Sequence, residues 1–212
     1  MTAAAPVVFV VDDDDAVRAS VVNLLASHDF QVRPYACART FLATALSGVA
    51  LAPCCLVLDM HMPALDGLDV VAELTRIDAG IPVIFLTGFG SIPLSVQAMK
   101  AGAVEFLTKP VQPDLLVDAV RTALARDAAR LDGRRELAEL RRRHTSLTPR
   151  ERETLELVIG GLLNKQVADA MGISEIMAKT HKRKVMEKMA ARSLPDLVRG
   201  AARLQIVSSR HR

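Results

Sequence analysis

Short apolar runs alternate with helical patterns through the first 128 residues. The runs are Val7–Val11, Phe30–Tyr35, Cys55–Met60, Ile81–Thr87 and Val104–Thr108. Between them, Ala16–Ser27, Cys37–Leu46, Gly67–Ile77 and Pro93–Ala101 carry apolar residues at helical spacing, and a fifth helix is predicted to begin near Pro113. Strands that are apolar throughout, rather than at every second position, belong to a parallel sheet covered on both faces. Five such βα units predict a doubly wound α/β domain, flavodoxin-like, with a five-stranded parallel sheet in the order 2-1-3-4-5.

Beyond residue 128 the pattern changes twice. Residues 129–146 are charged and lack a wide apolar stripe; Leu131, Leu137 and Leu140 offer a partial coiled-coil seam, but three leucines fall short of the heptads such a seam needs. A solvated helical linker is the favoured reading. From Leu147 four short helices are predicted. Thr148-Pro149-Arg150-Glu151 is a capping box with Pro at the first helical position. A second helix spans Asn164–Met171 and stops at Gly172, a third is capped by Ser174 and runs to about Met189, and a fourth starts at Ser193. The expected organisation is therefore an α/β domain over 1–128, a linker over 129–146, and a small all-α domain over 147–212.

Charge sharpens that division. The whole chain carries +3, but residues 1–128 hold 8 Lys/Arg against 14 Asp/Glu, and residues 129–212 hold 19 against 10. Neighbouring modules of opposite sign have different partners, the basic one a candidate for nucleic acid. Cys37, Cys54 and Cys55 show no metal-site spacing and their odd number argues against a disulfide framework. No signal peptide or membrane span is expected, and a reducing cytoplasm fits best.

The first strand ends in Asp12-Asp13-Asp14-Asp15, and the third ends in Asp59. Burial and mutual repulsion make a carboxylate cluster costly unless something positive sits among it. In the 2-1-3-4-5 order, strands 1 and 3 flank the switch point where ligands bind, so Asp12, Asp13 and Asp59 should converge there. Such a group suits a hard cation, Mg²⁺ above all. Asp14 and Asp15 are expected to serve the following helix start instead. Thr87 closes the fourth strand and Lys109 the fifth, supplying the hydroxyl and ammonium that phosphoryl transfer to a carboxylate needs around the moving oxygens.

Through VVDDDDAVR, LVLDMHMPALDG, LTG and AGAVEFLTKP, residues 5–128 closely resemble the receiver domain of bacterial response regulators. The resemblance implies Asp59 as phosphoacceptor and Asp13 as direct Mg²⁺ ligand, with Asp12 acting through water and the His61 main-chain carbonyl as a further ligand. It also implies Thr87 and Phe106 as switch residues, Lys109 as the phosphoryl's partner, and a cis Lys109–Pro110 bond. Phe89 is expected to shield an aspartyl phosphate from water. Haloacid-dehalogenase-like phosphatases use similar parts but want a second carboxylate two residues after the nucleophile, where this chain has His61. The GxxxxGK[ST] loop of P-loop NTPases is missing too. A regulator rather than an enzyme is expected.

In the basic module, helix, Gly-containing turn and basic helix make a helix-turn-helix. Lys165, Lys179, Lys182, Arg183 and Lys184 are the candidate DNA contacts, and with no Trp and one Tyr the chain lacks platforms for single strands. LTPRERETLELVIGGLLNKQVADAMGIS, the H-x-x-x-V-M-x-K-M stretch and RSLPDLVR resemble the LuxR/FixJ-type DNA-binding domain, and the two modules together resemble the NarL/FixJ family. That resemblance implies a response-regulator transcription factor: phosphorylation by a sensor histidine kinase, a change in the face around residues 93–108, homodimerisation or release of the basic module, binding to double-stranded promoter DNA, and activation through RNA polymerase. Where the family usually reads T-V-x-V-H-R, this chain reads Met177-Ala178-Lys179-Thr180-His181-Lys182. Ala178 and Thr180 are expected to thin the apolar face, at ~1–2 kcal/mol each relative to Val. The competing reading is a phosphate-independent DNA-binding regulator whose receiver is a dimerisation scaffold; its expected mark is loss of Asp59, Lys109 or the acidic pair, all of which are present.

Overall fold

The computed structural model describes residues 5–44, 52–63 and 65–208. The chain falls into two compact units, Met1–Asp132 and Gly133–Arg212.

In the first unit β1 (Val7–Val11), α1 (Asp15–Ala26), β2 (Gln31–Tyr35), α2 (Ala38–Thr44), β3 (Cys54–Asp59), α3 (Gly67–Arg76), β4 (Val83–Thr87), α4 (Ile92–Lys100) and β5 (Glu105–Thr108) follow in order, then α5 (Pro113–Thr145). The sheet is parallel, ordered β2-β1-β3-β4-β5. Alternate residues of the central strands serve opposite faces. Phe9, Val11, Leu56, Leu58, Val83 and Phe85 pack with α2, α3 and α4, while Val8, Val10, Cys55, Val57, Ile84 and Leu86 pack with α1 and α5. Double burial is why these strands read as unbroken apolar runs. The edge strands β2 and β5 are only half buried, and β2 tolerates Pro34 there.

The predicted second helix was drawn to Leu46; α2 is described to Thr44, and the remainder of that expectation lies outside the described residues. Asp14 caps α1, accepting from the amides of Ala16 and Val17, and Asp15 sits in its first turn. Those two acids thus have local work, as expected. Asp127 of α5 is fully buried and accepts from the Cys54 amide at 2.9 Å and from Arg130 Nε at 2.8 Å, tying α5 to the start of β3. Burial pushes the Cys54 thiol up to about 12 and Cys55 higher still, so both behave as small apolar residues.

The stretch expected to be a helical linker is helical as far as Thr145. Residues 113–145 form one continuous helix, which begins in the first unit and ends in the second. It is not simply solvated: Leu131 is buried, Leu140 packs on the core of the second unit, and Glu136 pairs with Arg203 at 3.0 Å. The periodicity looked weak because these contacts are few and alternate with ion pairs such as Arg142–Glu139.

The second unit adds α6 (Pro149–Ile159), α7 (Asn164–Met171), α8 (Glu175–Lys188) and α9 (Leu194–Arg203) around one core, in which Leu155, Val167, Val185, Met189 and Leu197 are central. The capping box forms as read, Thr148 and Glu151 exchanging bonds. Glu151 is buried, and Lys188 reaches it at 2.6 Å, fastening the start of α6 to the end of α8. Gly172 ends α7 in the left-handed conformation, φ 64°, which makes the tight turn into α8.

Candidate functional site

The C-terminal ends of β1, β3, β4 and β5 bring together the residues singled out in the sequence. Asp12 is 1% exposed and Asp59 6%, while Asp13 faces solvent. One carboxylate oxygen from each lies within 4.8 Å of the others. Lys109 Nζ donates to Asp12 at 2.7 Å and to Asp59 at 2.8 Å, although these residues lie 97 and 50 positions away along the chain. That ammonium is the positive charge the buried acids require.

The electrostatics follow from this placement. Burial, with Asp12 and Asp13 adding repulsion, holds the Asp59 carboxyl above its ordinary pKa even though Lys109 pulls it down. Burial works against the Lys109 ammonium, but its bonds to Asp12 and Asp59 outweigh that and hold its pKa up. The other Asp12 oxygen accepts from the Asp14 amide at 3.0 Å, and Arg18 donates to the Asp12 carbonyl at 2.6 Å. Arg18 escaped the sequence reading. An Arg early in a helix carries no signal for a carbonyl in the turn that precedes the helix.

Gly67 was quoted only as part of a motif, yet it is where α3 meets the site. A Cβ there would stand 2.9 Å from both the Asp59 carbonyl oxygen and Phe85 Cε1. The Gly67 amide donates to the Met60 carbonyl at 3.0 Å, which fixes the turn just after Asp59. His61 lies exposed in that turn. Thr87 is fully buried, its hydroxyl donating to the Phe89 carbonyl at 3.3 Å and accepting from the Phe89 amide at 3.2 Å. Phe106 is half-buried against the α2–α3–α4 side of the sheet. The Lys109–Pro110 bond is cis. The Phe89 side chain is 83% exposed, and its own amide and carbonyl are the groups that the Thr87 hydroxyl holds.

The second candidate surface lies on α8. Lys179, Arg183 and Lys184 are exposed there, and Lys165 is exposed on α7. Lys182 is half-buried, on the flank turned toward the core, because it is out of phase with the outward face. Ala178 is buried as expected, but Thr180 is not part of the apolar face. It is exposed, and its hydroxyl donates to the Ile176 carbonyl at 2.9 Å.

A doubly wound sheet with acids and a lysine at its switch point, followed by a helix-turn-helix, defines a receiver joined to a DNA-binding module. Residues 8–121 match the response regulator receiver domain, and residues 145–201 match the bacterial regulatory proteins of the luxR family. Nodulation protein W of Bradyrhizobium diazoefficiens is 45% identical over 200 residues, 94% of this chain and 87% of that protein. Transcriptional regulatory protein FixJ of Azorhizobium caulinodans is 43% identical over 92% of this chain and 90% of its own length. The solved structure of response regulator StyR superposes with a TM-score of 0.83 at 44% identity, covering 94% of this chain and 99% of that one. The chain belongs to the response regulators that carry a receiver and a LuxR-type DNA-binding domain, the transcriptional regulators of two-component systems. Among the described residues no helix is long and apolar enough to cross a membrane.

Proposed function

We propose that Asp59 is the phosphoacceptor of a cytoplasmic two-component transcription factor, phosphorylated by a sensor histidine kinase. The observation that carries this is the position of Lys109, bonded at once to Asp59 and Asp12 beside the exposed Asp13. An Asp59 oxygen attacks the phosphohistidine phosphorus, the P–N bond breaks, and the kinase imidazole leaves with the electron pair. Lys109 is within reach to follow the charge from the carboxylate to the phosphoryl oxygens, and the Thr87 hydroxyl is free to exchange its turn bonds for one of them. The hard oxygen donors of Asp12, Asp13 and Asp59, with the His61 carbonyl, fit Mg²⁺, which when bound supplies charge neutralisation at those oxygens.

Phe106 follows Thr87, and the α4–β5 face then favours a homodimer; phosphate need only stabilise that conformation over the resting one. Residues 1–128 form the receiver and 147–212 the DNA-binding domain, with 129–146, helical as far as Thr145, between them. Lys165, Lys179, Arg183 and Lys184, with Lys182 at the margin, contact double-stranded promoter DNA, and the bound dimer activates transcription by RNA polymerase.

The test is intact-protein mass spectrometry after incubation with acetyl phosphate, with and without Mg²⁺, beside Asp59→Asn. A Mg²⁺-dependent phosphoryl adduct that disappears in the variant is expected. A folded protein that takes up no phosphate from acetyl phosphate or from a panel of histidine kinases would move the receiver to the scaffold role.

A further inference from the structure

We propose that Ile176, together with the neighbouring Thr180, is a base-reading residue that makes van der Waals contact with thymine 5-methyl groups in the major groove, so that the operator half-site carries thymine where α8 begins. The inference rests on the DNA-binding reading of the second unit and deepens it. The exposed and buried faces of α8 can be told apart residue by residue. Ala178, Val185 and Met189, at i, i+7 and i+11, are buried. Ile176, Thr180, Arg183 and Glu187 keep the same spacing on the opposite side, and all are exposed. The helix therefore presents an outward stripe whose first member is aliphatic.

Ile176 is 80% exposed and the adjacent Met177 50%, so the two stand side by side in solvent at the start of α8. Nothing in the fold of the unit requires them, since the core is closed by residues of the other face. Cations outnumber acids around them: Lys179 and Lys184 flank the stripe, Arg183 lies on it and Lys165 is exposed on the preceding helix, against exposed Glu175 and Glu187. An apolar side chain set in a cationic, outward face matches one occupant in particular. Duplex DNA offers phosphates to the rim and, at each A·T pair, a methyl group on the groove floor. Residues at the N-terminal end of a helix-turn-helix recognition helix are those that reach base edges. Ile176 is the second residue of α8. Thr180 already donates its hydroxyl to the Ile176 carbonyl, so its methyl is the part left for an apolar contact.

The test uses the full-length protein, treated with acetyl phosphate and Mg²⁺. A random 30-base-pair duplex library is first enriched for bound sequences. In the resulting duplex each thymine is then replaced singly by deoxyuridine, which removes only the 5-methyl group. At one or two thymines per half-site the replacement is expected to weaken binding about four-fold, the worth of one buried methyl. In Ile176→Ala the same thymines should no longer be distinguished from uracil, whereas Ile176→Val should retain the effect. The exposed position and the good helix propensity of Ala preserve the fold of that variant, which circular dichroism checks. Deoxyuridine without effect at every thymine, or an effect that persists in Ile176→Ala, overturns the inference while leaving DNA binding intact. A library that yields no enriched sequence overturns the DNA-binding reading and this inference with it. Self-association of the DNA-free protein that Ile176→Ala abolishes would assign the stripe to a second copy of the chain instead.

Discussion

The chain holds two clusters of charge that obey opposite rules. At the sheet's C-terminal edge, Asp12 and Asp59 are buried and share one lysine. On α8, Lys179, Arg183 and Lys184 are exposed and of one sign, with Arg183 only loosely met by Glu187 at 3.7 Å. A buried cluster must be neutralised internally, so its geometry is over-determined before any ligand arrives. An exposed cluster needs no partner in the free protein, because water screens it, and its long side chains keep their freedom until a polyanion orders them. The first arrangement suits chemistry at one atom. The second suits a surface that accepts many sequences and is sharpened by a few contacts.

Removing the central cation breaks the first cluster most sharply. Lys109→Ala leaves two buried carboxylates facing each other, and a loss of ~3–5 kcal/mol in receiver stability is expected without Mg²⁺, read by urea denaturation. The pH dependence gives the sign. Burial already raises the Asp59 pKa, and loss of Lys109 raises it further. A carboxyl whose folded-state value exceeds its unfolded one favours the fold in acid and loses that contribution as pH rises through the folded value. The variant should therefore fall furthest behind the native protein at neutral pH and recover toward acid. A deficit that is flat with pH would show that Lys109 acts mainly through packing.

Gly67→Ala perturbs the same site without touching a charge. The added methyl must displace the Asp59 carbonyl or the Phe85 ring, both 2.9 Å away, so a loss of ~1–3 kcal/mol is expected, with slower phosphoryl uptake. Unchanged uptake kinetics would mean that the β3–α3 turn has room to give.

In the second unit, Glu151 is the counterpart of the buried acids, but with its sign reversed. Burial would raise its pKa, yet Lys188 and the Thr148 amide outweigh burial and hold it below the ordinary value. Its contribution is present above the unfolded value near 4.5 and is lost as pH falls through the lower, folded one. Glu151→Gln should cost ~1–2 kcal/mol at neutral pH, with the gap closing in acid by thermal melts. The smallest effects belong to the exposed cluster. Lys184→Ala is expected to weaken binding to all duplexes alike and to reduce the salt slope by about one, with Lys182→Ala doing less because that side chain is half-buried. Equal effects of the two substitutions would erase the distinction drawn between the faces of α8.

Much of the site was legible because each of its side chains is announced locally. A strand that must be buried on both faces shows as an apolar run, and the polar residue ending it stands at a sheet edge. Asp12, Asp59, Thr87 and Lys109 were therefore placed by strand ends alone, and the sheet order brought them together. The same holds for Thr148 and Ser174, whose capping roles depend on residues three positions away.

Other features had no local signature. That Lys109 bonds both acids at once, that Arg18 holds the Asp12 carbonyl, that Gly67 is crowded by Phe85, and that Asp127 anchors Cys54 are contacts between distant segments. Likewise, whether Lys182 or Thr180 faces inward turns on how α8 rolls against α6 and α7, and a shift of one residue moves a side chain by about a quarter of the helix circumference. The exposure of Phe89 and the burial of Leu131 were decided in the same way. Sequence by itself determined the elements, their order and the chemistry carried at their ends, since these follow from periodicity and chain connectivity. Tertiary packing decided which charges meet and which side chains reach solvent, because those depend on distances between elements that no local pattern encodes.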